Sequence, residues 1–197
     1  MKNLNLFLLV ISFISLNTFA QQQTLQEFKK ECDASDLQFK MPKGFKRIDT
    51  KENGDLYYSY AIINEDASME VRYTIWSLEP ALEEYKKTLK DENAMMIPVN
   101  NIYKGRVQTN VLNMTGGVMY SIGAFHPKAV KKEFHADAGG SCFLEFNSEF
   151  GKGYTYGQFI YLHKDDVADV IVTFMSNDKS KHSDLMMQAF YALTFKE

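Results

Sequence analysis

The run SCFLEFNSEFGKGYTYGQFIYLHKDDVADVIVTFMSNDKSKHSDLMMQAFYALTFKE, residues 141–197, decides the fold. It reads strand, strand, strand, helix. From Cys142 to Asn147, Cys142, Leu144 and Phe146 alternate with Phe143, Glu145 and Asn147, an extended chain with one face more apolar. Ser148 to Gly153 supplies turn residues. From Tyr154 to His163, Tyr154, Tyr156, Ile160 and Leu162 share one face, and Phe159 and Tyr161 share the other with the small Thr155 and Gly157. Lys164-Asp165-Asp166 is a turn. From Asp169 to Met175 both faces are apolar, which predicts a strand covered on both sides. A helix starts between Ser180 and Ser183. Its Leu185, Ala189, Ala192 and Leu193 fall at i, i+4, i+7 and i+8, one stripe that Met186 and Phe190 widen. Thr194-Phe195 returns to extended chain.

Outward from this unit, 197 residues suggest one α+β domain. At the other end, Lys2 precedes an apolar run from Leu6 to Leu16, and Thr18-Phe19-Ala20 ends in a small residue before three glutamines. The pattern reads as a secretory signal peptide over residues 1–20, cleaved between Ala20 and Gln21, with a membrane anchor as the alternative. The run is short for a stop-transfer helix, and no Cys follows it closely enough for a lipid anchor. The expectation is therefore an exported, soluble chain over residues 21–197, periplasmic or secreted, with no stable membrane insertion once the signal is removed. Losing Lys2 takes the basic residues from 22 to 21 against 25 acidic ones, a net of −4. No Lys/Arg cluster stands out, and Glu133 follows the densest, Lys128-Lys131-Lys132. That composition argues against a nucleic-acid partner, which needs a concentrated positive face.

Between these ends the elements are shorter. Thr24 to Cys32 suits a short helix capped by Thr24. Leu37 to Lys40 is a strand, Met41-Pro42-Lys43-Gly44 a turn, and Phe45 to Asp49 the next strand. Asn53-Gly54 signals a hairpin, with Leu56 to Ile63 returning. Met69, Val71, Tyr73 and Ile75 then alternate with Glu70, Arg72, Thr74 and Trp76, as in an antiparallel strand with one wet face. Ser77 to Asp91 is the strongest helix, with Leu82, Tyr85 and Leu89 as its buried stripe. Asn100 to Met114 is a helix weakened by Gly105 and stopped by Gly116-Gly117. Val118 to Phe125 suits a strand, and Pro127 opens a short helix through Phe134.

The step Phe39-Lys-Met-Pro-Lys-Gly-Phe45, the hairpins behind it, the middle helix and the closing three strands plus helix resemble the PsbP-like superfamily, with its Mog-type and periplasmic DcrB-type members. The likeness runs from Ser35 to Glu197 and rests on the order of elements. It implies an αβα arrangement, a central antiparallel sheet sandwiched between helices, and a mostly non-enzymatic binding or accessory role. The segment from Asn93 to Gly140 is longer than that pattern, and no functional residue carries over.

Candidate chemistry is sparse. His135-Ala136-Asp137 places imidazole and carboxylate on one side of an extended chain, and Cys142 follows after Gly139-Gly140-Ser141. Cys142 as nucleophile and His135 as base, with Asp137 beside them, would make a small thiol-dependent hydrolase, though the run matches no known cysteine-enzyme signature. Cys32 and Cys142 form a disulfide or remain two buried free thiols. His126, His135, His163 and His182 show no ligand spacing, so they read as scattered surface residues with no metal site. No nucleotide-binding motif occurs, and no cofactor is expected. If Met69 to Ile75 fill the core, Trp76 and Arg72 share the opposite face, and both residue types are enriched at interface hot spots. The expected function is an exported, non-enzymatic binding or accessory protein of the cell envelope, with an envelope protein or a small ligand as partner. The alternative is the Cys142 hydrolase.

Overall fold

The computed structural model describes residues 25–90 and 97–197. The expected signal segment, the Ala20–Gln21 cleavage point and the Thr24 cap lie outside the described residues. The first helix, α1, occupies 25–34 and turns Leu25, Phe28 and Cys32 to one side. Next come β1 (Leu37–Phe39), β2 (Phe45–Ile48), β3 (Tyr60–Asn64) and β4 (Met69–Ser77). Two helices follow, α2 (Glu79–Thr88) and α3 (Ile102–Thr115), the latter preceded by a 3-10 turn at Val99–Asn101. The chain then forms β5 (Gly123–Ala124), α4 (Pro127–Phe134), β6 (Ala138–Glu145), α5 (Ser148–Gly151), β7 (Tyr156–Lys164) and β8 (Ala168–Ser176). It closes with α6 (Lys179–Ala189) and β9 (Leu193–Phe195).

The main sheet has seven antiparallel strands in the order β2-β3-β4-β8-β7-β6-β5. The first hairpins build one half. The chain crosses to the far edge through α2 and α3, and then returns strand by strand until β8 zips onto β4. Strands β1 and β9 make a separate antiparallel pair that ties the two ends of the domain together.

Register sorts the side chains onto two faces. Tyr60, Tyr73, Val172 and Ile160 stand side by side across β3, β4, β8 and β7. They belong to a core roofed by α1, α4, α6 and β9. On the opposite face Arg72, Thr173, Phe159 and Cys142 stand in a row. There Val107, Val111 and Met114 of α3 and Phe150 of α5 close a second core. The sheet thus lies between helices in one α+β domain. Because β8 is buried at every residue, its two apolar faces are accounted for.

Several boundaries differ from expectation. Asn53-Gly54 does not make a tight hairpin. The Asn53 Oδ1 accepts from its own chain at Asp55 and Leu56, and its Nδ2 donates to the Phe150 carbonyl. This side-chain turn holds residues 49–59 as a long loop that packs Leu56 and Tyr58 inward. Strand β6 begins at Ala138, ahead of the glycines. A Cβ at Gly140 would lie 2.6 Å from the Gly123 carbonyl oxygen and 2.7 Å from Tyr161, so glycine lets β5 and Tyr161 approach. Of residues 118–125 only Gly123–Ala124 pairs as strand. Helix α2 forms as its periodicity predicts, but it buries no residue and Leu89 is exposed. The stripe identifies a helix without saying how deep it lies. Helix α3 ends as expected, with Gly116 at φ 69° in the left-handed cap.

Candidate functional site

The three residues of the alternative hydrolase do not converge. His135 caps α4 at φ 53°, and its Nε2 lies 3.8 Å from Glu197. Asp137 accepts from Lys131 Nζ at 2.8 Å and from the Asp165 amide at 3.0 Å. Burial works to raise the Asp137 carboxyl, but the Lys131 ammonium and the Asp165 amide hold it below the usual range. Cys142 lies four residues along β6 from Ala138, about 13 Å at strand rise, buried in the α3-side core. Nearness in sequence misleads here because the left-handed residue at 135 turns the chain before β6 extends away.

The disulfide alternative fails for a topological reason. Cys32 sits in the core under α1 and Cys142 in the core on the other face, with the sheet between them, and both thiols are free. A bond needs Cα atoms within about 7 Å. Burial pushes Cys32 up to about 12, helped by Glu31 and Asp33, and Cys142 up to about 11. Both shifts favour the poorly nucleophilic thiol over the thiolate at neutral pH. The folded protein is expected to leave both thiols unmodified by a disulfide reagent over minutes, with two reacting at once in denaturant. Rapid reaction of Cys142 in the native state would restore the enzyme reading.

The Arg72–Trp76 face is closed. Arg72 is 2% exposed, and Glu70 and Thr74 are buried beside it. Arg72 Nε donates to Glu70 Oε1 at 2.6 Å, and Nη1 donates to the Phe150 carbonyl at 2.7 Å. Its guanidinium lies 4.7 Å from the Tyr58 ring centroid and 5.1 Å from that of Phe150. Trp76, half-buried, lies beneath the Arg106 guanidinium at 5.0 Å. The wet face expected for β4 is thus roofed by the 49–59 loop, α5 and α3. Arg72 and Trp76 are packing residues.

Two of the four histidines, His163 and His182, are buried, contrary to the surface reading. His163 stands opposite Asp169 across the β7–β8 hairpin. Its Nδ1 meets Asp169 Oδ1 at 2.6 Å and its Nε2 meets Asp165 Oδ1 at 2.9 Å. Arg106 binds the second Asp169 oxygen, and the Tyr103 ring stacks on the imidazole at 4.2 Å. Burial alone would lower His163, but hydrogen bonds donated by its ring to the Asp169 and Asp165 carboxylates outweigh it and raise the value. With both ring nitrogens taken by carboxylates, this imidazole has none left to act as a base. It ties β7, β8 and α3 together. The sequence suggests a turn at 164–166; the structure forms it at 165–167, which sets residue 163 against 169.

At the opposite end of the strands lies an open cleft of about 540 Å³. Ile48, Ile63 and Ala67 form its apolar wall, and Glu70, Tyr154 and Asn177 supply polar atoms, with Asp49, Lys51 and Lys152 also lining it. Glu70 is more than nine-tenths buried and is held from behind by Arg72. Burial raises the Tyr154 hydroxyl, and the Glu70 carboxylate adds to that shift. A second cleft, of about 420 Å³, lies between α1 and α2 and is lined by Asp33, Asp36, Glu79 and Glu83. Two of these carboxylates are already paired, Asp33 with Lys196 and Asp36 with Lys164. Of these two clefts, the first joins an apolar wall to a buried charged group.

Fold and site together define a single-domain α+β protein with a polar-floored cleft at one end of its sheet. Neither a family model nor a curated protein matches the chain.

Proposed function

We propose that the protein is an exported, non-enzymatic binding or accessory module of the cell envelope that receives a small ligand in the Glu70 cleft. One observation carries this reading: a carboxylate more than nine-tenths buried lines an open cavity of about 540 Å³ with an apolar wall. Ligand pockets combine that size, apolar walls and a few fixed polar groups. Export is supported by Lys2, the apolar run and Ala20. Among the described residues no helix is long and apolar enough to cross a membrane. The PsbP-like relation belongs to the same proposal, and the antiparallel sheet between helices supports it.

A panel of amino acids, short peptides and sugars, screened by amide chemical-shift perturbation, tests the reading. Ligands are expected to shift residues around Glu70 and Tyr154 and to lose at least tenfold in affinity when Ile63→Trp fills the cleft. Hits that bind the filled variant equally well would overturn it.

A further inference from the structure

We propose that His182 is an acid-sensitive latch that holds the first turn of α6 on the sheet, releasing it when the imidazole is protonated. This inference stands apart from the cleft. His182 is 4% exposed at the end of that turn. Neither ring nitrogen has a hydrogen-bond partner among the described residues. The ring meets Phe143 edge to face at 5.2 Å. Such a site accepts a neutral imidazole at modest expense and an imidazolium only at a large one.

Among the described residues no neighbouring charge is placed to relieve it. On β6, Glu145 is bound by Lys179 Nζ at 3.3 Å, and Lys179 also lies over Tyr156 of β7. On α6, the Asp178 carboxylate caps Ser180 through its amide and hydroxyl and pairs with Lys181, while Asp184 lies exposed. In the β3–β4 turn, Asp66 accepts from the Ser68 amide and hydroxyl. None of these carboxylates lies within 4.0 Å of an imidazole nitrogen. Strands β4 and β8 pack against α6, and the pairs Met69–Ser176 and Val71–Phe174 on that face of the sheet carry no charge. The helix N-terminus is itself the positive end of the dipole, which further disfavours a cation there.

The direction follows. Burial lowers the His182 imidazole below its ordinary 6.5, so the folded state keeps it neutral while the unfolded turn takes a proton more readily. Stability of the closed turn is full above the ordinary value and is lost as pH falls from there toward the lowered one. His163 is shifted the opposite way and gives no such loss on the acid side.

Hydrogen exchange on the full chain, expressed as protection factors to remove the intrinsic pH dependence, reads the latch. Between pH 7.5 and 5.0 the amides of 179–189 are expected to lose about tenfold in protection for each unit by which the imidazole is lowered. The central amides of β7 and β8 keep theirs, and His182→Phe removes the loss from α6. In parallel, the His182 ring proton titrated by NMR in the unsubstituted protein is expected to show a midpoint below 6.5. Three results would overturn the latch: unchanged α6 protection in the native chain, an equal loss in His182→Phe, or a midpoint at or above the ordinary value. The titration stands even if the variant folds poorly.

Discussion

Replacing Arg72 with leucine is expected to destabilise the fold by about 3–5 kcal/mol, the loss typical when one partner of a buried ion pair is removed. The side chain touches almost no solvent. Its guanidinium satisfies the Glu70 carboxylate and the Phe150 carbonyl and is held between the Tyr58 and Phe150 rings. Leucine fills part of the volume, leaves the buried Glu70 carboxylate without its donor, and takes from the Phe150 carbonyl one of the two donors it has in Arg72 and Asn53. In a domain of this size the loss lowers Tm by roughly 10 °C. The double substitution Arg72→Leu with Glu70→Leu is expected to recover most of it, since two apolar side chains leave no charge unpaired. Denaturant unfolding of the three proteins checks this. The single variant should shift in midpoint with little change in slope. A neutral single variant would mean that the pair contributes nothing to the fold. Glu70 also lines the cleft, so the double variant, if folded, provides a protein in which the cleft has lost its buried carboxylate and keeps the exposed one of Asp49.

The same two residues show where sequence reading stops. Alternation over Met69 to Trp76 correctly places Met69, Val71, Tyr73 and Ile75 in one core and puts Glu70 and Arg72 on the other face. It cannot say what covers that face, because the covering groups are remote. Phe150 is 78 residues from Arg72, and α3 belongs to the crossover that follows β4. Local signals served well where the structure is local: the β7–β8 hairpin, the glycine stop of α3 and the proline start of α4. They misled where polar residues that look exposed are paired in the interior. His163 and Asp169 are an example, and there the hairpin register would have exposed the error. The cleft is assembled from β2, β3, β4 and the segments flanking β7 and β8. No contiguous pattern announces it.

Gly157→Ala is expected to destabilise by about 3 kcal/mol, the upper end of overpacking costs, although it adds only a methyl group to a strand. Gly157 lies on β7 opposite Met175 and Leu144. A Cβ there would come under 3.0 Å from the Phe146 ring and from the Phe174 carbonyl oxygen. The ring can retreat, since Phe146 lies past the end of β6 and is only partly buried. The carbonyl oxygen cannot, because it belongs to β8 in the middle of the sheet. Gly105 is the internal control. Nothing lies within 4 Å of a Cβ built there, and it occupies the interior of α3. Gly105→Ala is therefore expected to stabilise by about 0.5–1 kcal/mol through helix propensity. A cycle with Phe146→Ala separates the two obstacles at Gly157. If the ring carries part of the clash, the double variant is less destabilised than the two singles together by about 1 kcal/mol. Strict additivity would place the whole cost on the Phe174 carbonyl and the strand spacing, leaving the Phe146 ring as a bystander.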